Sequence, residues 1–215
     1  MERTYKLQYY KDPISYTDGL KLQEEAFEAV KDKEYSGVFI LLQHKPVYTI
    51  GKGGGRENIL RSEEFLKSRN IDIVDVTRGG NITFHGPGQI VFYPILDLTL
   101  LKKDTHWYVD NLEEVIIRVL KNYGVEGTRK PEYRGVWVDD KKISALGIAV
   151  KRWITGHGVS FNVNMNKEYF HWINPCGITE FGITSLEDYV SEIDMEVLNK
   201  QIISSFEEVF QIKLQ

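Results

Sequence analysis

Three helix-forming stretches lie far apart in this sequence, with strand-like stretches between them. Residues 15–31, the stretch after Asp104 and the stretch after Asp194 each repeat apolar residues every three or four positions, which is the spacing of one helix face. A short helix is also predicted over residues 62–69. Because the strand-like stretches lie in groups and do not alternate singly with helices, the sequence predicts an α+β fold. We expect a mixed β-sheet with flanking helices and not a Rossmann-type sheet.

The strand-like stretches differ in pattern. Residues 38–43 are a continuous apolar run up to the final Gln43, which favours a strand buried on both faces. Residues 71–76 and 89–93 alternate between apolar and polar side chains, as strands with one buried face do. Residues 135–138 and 142–150 flank the pair Asp139-Asp140, which predicts a hairpin. A further strand is predicted around residues 157–163, with His157 on the same side as the apolar residues that follow it at every second position.

Length and composition match one globular domain, residues 1–215. Of the 215 residues, 42% are hydrophobic and 27% are charged, which excludes a disordered or coiled-coil chain. The single cysteine excludes an intrachain disulfide and favours a reducing, cytoplasmic compartment. Residues 1–10 carry charges without an apolar run, so no secretory signal is expected, and the longest apolar run, residues 38–42, is too short to cross a membrane.

The charge distribution bears on binding partners. A net charge of -4 argues against a nucleic-acid binder with a broadly basic surface. Residues 129–152 nevertheless contain seven Lys or Arg and three acids, whereas residues 180–215 contain eight acids and two lysines. Such a division is typical either of two solvated faces or of a surface that orients a charged partner. The sequence leaves both interpretations open.

The segment of residues 78–89 is the richest in candidate binding groups. It contains four glycines and a proline, a density that we expect to prevent regular secondary structure. Glycine lets backbone N–H groups approach a ligand closely, and Arg78, Thr83, His85 and Gln89 add side-chain donors. The segment is predicted to be a binding loop, although a long turn has a similar composition. A second glycine cluster, residues 51–56, lacks the spacing of a phosphate-binding loop and is predicted to be a flexible surface loop.

Cys176 and Lys142 are the candidate reactive groups. Cys176 follows Asn174-Pro175, a pair that favours a turn. Two interpretations of Cys176 therefore remain, a reactive thiol and a small buried side chain. A thiol of ordinary pKa, ~8.5, needs a nearby cation or base to react at neutral pH. Lys142 is one candidate, because in the pair Lys141-Lys142 at a strand start one side chain should face inward. The five histidines show no metal-ligand spacing, so no metal is expected.

Several segments, in this order, resemble the lipoyl(octanoyl) transferases, the octanoyl-[acyl-carrier-protein]:protein N-octanoyltransferases. These are residues 44–51, 78–89 continuing to 95, 135–138 followed by 142–147, 156–162, 174–177 and 184–186. Two positions depart from the family pattern: Lys52 stands where arginine is expected, and Ser144 where alanine is commoner. Neither departure touches the reactive pair that the resemblance implies.

The resemblance implies a single catalytic domain that folds like the catalytic domain of biotin and lipoate protein ligases. It implies transfer of an octanoyl or lipoyl group from acyl carrier protein to a lysine of lipoyl domains, the first step of protein lipoylation. Acceptors would be the lipoyl domains of 2-oxoacid dehydrogenase complexes and the H protein of glycine cleavage. Cys176 would be the nucleophile that forms an acyl-thioester, and Lys142 its activating partner.

A thioester donor is already activated, so the reaction needs neither ATP nor a metal. Backbone N–H groups of residues 145–147 and 158–160 would bind the acyl oxygen. Residues 78–85 would cover the hydrocarbon chain of the acyl group. The predicted substrate-binding residues are Arg78, Gly79, Gly80, Asn81, Ile82, Thr83, Phe84, His85, Ala145, Leu146, Gly147, Gly158, Val159 and Ser160. Three alternatives remain: an ATP-dependent lipoate or biotin ligase of the same fold, a cysteine hydrolase or thioesterase, and a module that only binds the carrier.

Overall fold

The computed structural model describes residues 3–174 and 182–215. The strands of this part of the chain are β1 (Tyr5–Tyr9), β2 (Gly37–Leu42), β3 (Val47–Ile50), β4 (Asp72–Asp75), β5 (Ile82–His85), β6 (Gln89–Leu96), β7 (Thr128–Lys130), β8 (Tyr133–Val138), β9 (Lys141–Lys151) and β10 (Ile154–Asn162). Its α-helices are α1 (Tyr16–Lys31), α2 (Glu63–Ser68), α3 (Thr105–Asn122) and α4 (Met195–Phe210). Short 3-10 turns connect several of them.

The strands form two sheets. The larger one has the order β1-β2-β6-β10-β9-β8-β7, and the smaller one has the order β4-β3-β5. Strand β1 is parallel to β2, and β3 is parallel to β4, whereas the other pairs are antiparallel. Helices α3 and α4 contribute to the main core, and α1 packs with β2 and β6 in a separate cluster. The predicted α+β fold with a mixed sheet and flanking helices is confirmed.

The helix positions follow from local capping chemistry. Ser15, Ser62, Asp104 and Asp194 directly precede the four helices, and the side chain of each accepts a hydrogen bond from a backbone N–H of the first turn. Such caps satisfy donors that have no partner inside the helix. Helix α3 ends just before Gly124, whose φ of +71° is the left-handed conformation that glycine adopts readily. All four predicted helices are confirmed.

The expectation that residues 78–89 lack regular structure is wrong. Strand β5 lies inside this segment and pairs antiparallel with β3. The glycines occupy positions 79, 80, 86 and 88, and therefore bracket β5 without entering it. The number of glycines in the whole segment does not reveal that the residues between Gly80 and Gly86 contain none.

The second glycine cluster is tied to the first one. Gly51 N, Lys52 N and Gly53 N donate to Asn81 O, Arg78 O and Gly80 O over 3.1, 3.1 and 3.0 Å. The predicted flexible loop is therefore held along residues 51–53 by backbone hydrogen bonds. Its glycines allow the close approach, since a Cβ on Gly51 would lie 2.5 Å from Gly80 O.

The hairpin of β8 and β9 turns on two residues, as predicted. Asp139 and Asp140 have φ values of +47° and +62°, which are the left-handed conformations of a type I′ turn. The pairing places Trp137 opposite Lys142, and a register shift follows between Trp137 and Val136. No helix in the described ranges is long and apolar enough to cross a membrane.

Candidate active site

A cavity of about 520 Å³ lies between strands β9 and β10 of the larger sheet and the segment that leads into β5. All of the predicted binding residues except Phe84 line it, and so does Lys142. The cavity has further walls that the sequence analysis did not single out, notably Tyr16, Tyr93, Tyr133 and Trp137. The fold therefore brings together residues that lie far apart in the sequence.

Phe84, the one remaining predicted binding residue, does not line the cavity. Its side chain is 1% exposed and belongs to the core of the smaller sheet, where it stacks on Tyr169 with ring centroids 4.4 Å apart. Side chains alternate between the two faces of a strand. Its neighbours Thr83 and His85 line the cavity, and Phe84 therefore anchors β5 from the opposite face.

Lys142 faces the cavity because of its position on β9. The adjacent Ile143 is fully buried in the main core, and alternation turns Lys142 to the opposite side, while Lys141 is exposed. The Lys142 ammonium donates to Arg134 O over 3.1 Å and lies 4.7 Å from the centroid of the Trp137 ring. The prediction that one lysine of the pair points inward is confirmed, and the inward one is Lys142.

Arg78 fixes the glycine-rich wall of the cavity. Its Nη2 donates to Thr49 O over 2.8 Å and to Thr49 Oγ1 over 2.7 Å. Its Nη1 donates to Gly79 O and Asn81 O, each over 3.0 Å. The buried guanidinium thus joins the loop to β3. Gly147 permits this, since a Cβ there would lie 2.7 Å from Arg78 Cδ.

Two buried histidines, His85 and His157, line the cavity, and a third, His44, lies behind them against His85. All three are neutral at neutral pH. Burial lowers the pKa of His44 to about 4 and that of His85 to about 3, where repulsion from His44 adds to the effect. Burial and the charge of Arg78 lower the pKa of His157 to about 4. Imidazoles with such low pKa values are weak proton acceptors at neutral pH.

Hydrogen bonds fix the ring orientation of two of them. His85 Nδ1 donates to Gln89 Oε1 over 2.7 Å, and Gln89 Nε2 donates to Asn162 Oδ1 over 2.9 Å. His44 Nδ1 donates to Ile14 O over 3.3 Å, so His44 Nε2 accepts from the Tyr93 hydroxyl at 2.6 Å. These contacts make His44 and His85 parts of a buried hydrogen-bonded framework.

His157 departs from the face that its strand predicts. Val159 and Phe161 belong to the main core, whereas the His157 ring lines the cavity and its Nε2 lies 3.2 Å from Thr77 Oγ1. The reason is its backbone, which has φ +56° and interrupts the regular alternation of an extended strand.

The edge of β9 presents backbone groups to the cavity. Strand β8 pairs with β9 only as far as Ser144, and beyond it Ile148 O accepts from Gly79 N over 3.3 Å. In an antiparallel strand, the N–H and C=O of one residue point to the same edge of the strand. Every second residue points to that edge, and the residues between them point to the other edge. Leu146 therefore directs its N–H to the edge that faces the loop, whereas Ala145 and Gly147 direct theirs to β10.

Cys176 lies outside the described residues. The described chain next to it does reach the site: Gly182 and Ile183 line the cavity, and Gly182 O accepts from Lys142 N over 2.9 Å. On the other side, Asn174 N donates to Asn58 O over 2.8 Å. Among residues 3–174 and 182–215, no cluster of three His, Cys, Asp or Glu side chains is arranged to hold a metal ion.

Comparisons with known proteins identify the family of this chain. The family model of the lipoyl protein ligase A/B catalytic domain matches residues 15–207. An octanoyltransferase of Caldanaerobacter subterraneus subsp. tengcongensis is 52% identical over 203 residues, which cover 94% of this chain and 89% of the relative. An octanoyltransferase of Clostridium kluyveri is 45% identical over 214 residues, which cover 100% of this chain and 91% of the relative.

Solved structures show the same fold at low sequence identity. Lipoate-protein ligase A bound with ATP superposes with a TM-score of 0.77 at 14% identity, covering 100% of this chain and 88% of the ligase. The biotin protein ligase of Aquifex aeolicus superposes with a TM-score of 0.54 at 13% identity, covering 97% of this chain and 69% of the ligase. The predicted ligase-like catalytic fold is thereby confirmed. By sequence, the chain belongs to the octanoyltransferases of the lipoyl protein ligase A/B catalytic-domain family, and it is an acyltransferase.

Proposed function

We propose that this enzyme transfers an octanoyl or lipoyl group from acyl carrier protein to a lysine of a lipoyl domain through an acyl-thioester on Cys176. The observation that carries the proposal is the placement of Lys142 at the wall of the cavity, beside the chain segment that leads from Cys176. Relatives named octanoyltransferase, up to 52% identical, support the class of acyl group.

In the first step, the Cys176 thiolate attacks the carbonyl carbon of the donor thioester. A new C–S bond forms, the C–S bond to the carrier breaks, and the carrier thiolate leaves with the proton of the Lys142 ammonium, so that Lys142 is left as a neutral amine. The Lys142 ammonium stabilises the attacking thiolate, and the Leu146 N–H supports the negative charge that develops on the acyl oxygen. One thioester replaces another, so the step is close to thermoneutral.

In the second step, the neutral amine of the acceptor lysine attacks the acyl-enzyme. A C–N bond forms, the C–S bond to Cys176 breaks, and a proton leaves the amine. The Lys142 amine is the proton acceptor in this step, because the buried histidines hold low pKa values and are weak bases. Amide formation from a thioester is downhill, and the reaction accordingly uses neither ATP nor a metal.

An ATP-dependent ligase is the main alternative, since the fold is shared with lipoate and biotin ligases. Fold likeness at 13% to 14% identity does not separate the two reactions. The relatives at 45% to 52% identity are named octanoyltransferases, which favours transfer from a thioester. The acceptors proposed are the lipoyl domains of 2-oxoacid dehydrogenase complexes and the glycine-cleavage H protein, reached in the cytoplasm without nucleic acid or membrane.

The test is the intact mass of the protein after mixing with octanoyl-carrier protein. We expect one octanoyl adduct that hydroxylamine removes and that passes to a lipoyl domain when the domain is added. Cys176→Ala and Cys176→Ser should form no adduct and should lose transfer, while unfolding at the same temperature as wild type.

Two controls separate the alternatives. With free octanoate and ATP in place of the carrier, a ligase would modify the lipoyl domain and a thioester-dependent transferase would not. Without a lipoyl domain, a hydrolase would release free octanoate at the full rate. Transfer by Cys176→Ala at near wild-type rate would contradict the covalent mechanism.

A further inference from the structure

We propose that Glu113 is a positioning residue for Lys142 and acts through the peptide bond between Arg134 and Gly135. Gly135 N donates to Glu113 Oε1 over 2.9 Å, and the carbonyl of the same peptide, Arg134 O, accepts from Lys142 Nζ over 3.1 Å. One peptide unit therefore connects a carboxylate on α3 to the candidate catalytic lysine. The inference rests on the proposed role of Lys142.

The geometry of a trans peptide makes this connection directional. The N–H and C=O of a planar trans peptide point in opposite directions. A carboxylate that binds the N–H on one side of the sheet therefore directs the carbonyl to the other side. Helix α3 lies on the core side of the sheet, and Lys142 lines the cavity. A hydrogen bond at one end of a peptide also polarises it and strengthens the bond at the other end.

Gly135 is suited to this position. Its φ of +128° lies in a region that side chains disfavour. A Cβ there would lie 2.5 Å from Ser144 O and 3.3 Å from Lys142 Cε. The missing side chain therefore leaves space for the Lys142 stem, and the unusual φ leaves the peptide without the support of a regular strand. The bond from Glu113 supplies that support.

Glu113 is held in turn by charge. Its carboxylate is 1% exposed and forms ion pairs with Arg129 Nε at 3.3 Å and Arg134 Nη1 at 3.4 Å. A buried carboxylate needs such partners. The two arginines are themselves partly exposed and also contact Glu114 and Asp110. These exposed contacts remain when Glu113 is replaced.

The test compares Glu113→Gln with Glu113→Met. Both variants remove the charge and keep the side-chain length, but only glutamine keeps an oxygen for the Gly135 N–H. The readout is the pH dependence of iodoacetamide labelling of Cys176, with kcat and KM for transfer. Glu113→Met should slow labelling at neutral pH by about threefold to tenfold and lower kcat with little change in KM. Glu113→Gln should restore both values to within about twofold of wild type.

Matched controls separate positioning from general loss of stability. Glu114 is adjacent on α3 and pairs with Arg129 and Arg118, so Glu114→Gln and Glu114→Met remove a charge next to the same arginine without touching the peptide. They should leave the labelling profile unchanged. Combining Glu113→Met with Lys142→Ala should add nothing to the effect of Lys142→Ala alone, because both act on the same group.

A second measurement needs no change at Glu113 and so does not depend on that variant folding. In the amide NMR spectrum, Lys142→Met should shift the Gly135 resonance, because Lys142 polarises that peptide, and Lys141→Met should not. An unmoved Gly135 resonance, or equal labelling profiles for Glu113→Gln and Glu113→Met, would overturn the inference. If Lys142→Ala itself leaves labelling unchanged, the proposed role of Lys142 fails, and this inference fails with it.

Discussion

Lys142 and Trp137 lie directly opposite each other on β9 and β8, with the lysine ammonium 4.7 Å from the centroid of the indole ring. The indole is itself fixed, because its Nε1 donates to Tyr133 O over 3.1 Å. An ammonium over an aromatic face gains about 0.5–2 kcal/mol, depending on its exposure. The ring and Arg134 O thus hold the Lys142 side chain from two sides.

Trp137→Leu removes the aromatic face and should lower kcat for transfer by about fivefold, since ~1 kcal/mol of cation–π attraction corresponds to that factor. Trp137→Phe keeps a weaker face and should give an intermediate value. Steady-state rates at saturating octanoyl-carrier protein measure both. Trp153→Leu is the control, because Trp153 is exposed at the turn between β9 and β10. Equal rates for Trp137→Leu and Trp137→Phe would contradict a role for the aromatic face.

Much of this site was predictable because its signals are local. Cap residues such as Asp104 indicate where their helices begin, and the glycine-rich segment of residues 78–89 predicts a wall of the cavity. Trp137 was missed, although the signal existed: a two-residue turn at Asp139-Asp140 places position 137 opposite position 142 by simple counting. Strand pairing follows from the turn only when the length of the turn is known.

Glu113 could not be assigned from sequence in the same way. It follows Leu112 and precedes Ile116 by three positions, so it lies within the buried stripe of α3, and a charged residue in an apolar stripe is a usable signal. Its partner, however, is a backbone N–H more than 20 positions away. That contact depends on how α3 packs under β8, which no local pattern encodes.

Replacement of Lys142 should change the titration of the Cys176 thiol. A cation within ~4–6 Å lowers the pKa of an acid by one to three units, so wild type should label rapidly with iodoacetamide near neutral pH. In Lys142→Ala the thiol should titrate nearer its ordinary value of ~8.5, with labelling slowed at neutral pH and partly restored at alkaline pH. Transfer should fall further than labelling, because the second step also needs a base.

Lys142→Arg separates charge from proton transfer. Arginine keeps the positive charge and stays protonated, so this variant should recover labelling better than turnover. A pH series of labelling and transfer on wild type and both variants decides the matter. If Lys142→Ala leaves the thiol titration where it is in wild type, Lys142 is not the activating partner of Cys176.

Charge reversal at Lys151 and Arg152 should weaken the use of an acidic carrier protein. In the basic segment of residues 129–152, Arg129 and Arg134 form ion pairs with acidic residues of α3. Lys151 and Arg152 are exposed near the turn between β9 and β10. Exposed charges act mainly on association rate and its salt dependence. Lys151→Glu with Arg152→Glu should raise KM for octanoyl-carrier protein and flatten its dependence on salt.

The control for steering reverses two other exposed lysines. Lys200→Glu with Lys213→Glu changes the net charge by the same amount within the acidic C-terminal segment. This variant should keep the wild-type KM and salt dependence. An unchanged salt profile in the Lys151 and Arg152 variant would place the docking surface elsewhere.

The three buried histidines should make the stability of the fold depend on pH. Their folded-state pKa values are about 4, 3 and 4 for His44, His85 and His157, against 6.5 for an ordinary histidine. Between pH ~6.5 and ~4, the unfolded chain binds protons that the native protein excludes, so their stabilising effect is complete above pH ~6.5 and is lost as the pH falls. Urea unfolding should show a slope of up to about 4 kcal/mol per pH unit near pH 5, from about 1.4 for each histidine.

One substitution assigns that slope to the buried rings. His44→Gln removes one of the three groups, so we expect the slope near pH 5 to decrease by about 1.4 kcal/mol per unit, whatever the substitution does to stability at neutral pH. His171→Gln is the matched control, because His171 is exposed, and it should leave the slope as in wild type. Asp18 and Asp104 have lowered carboxyl pKa values and act mainly below their ordinary pKa of 3.8. Glu64 and Glu114 have carboxyl pKa values lowered from 4.5 and add to the slope only at the acidic end of this window. A slope unchanged by His44→Gln would show that the native protein takes up a proton at His44 as readily as the unfolded chain does.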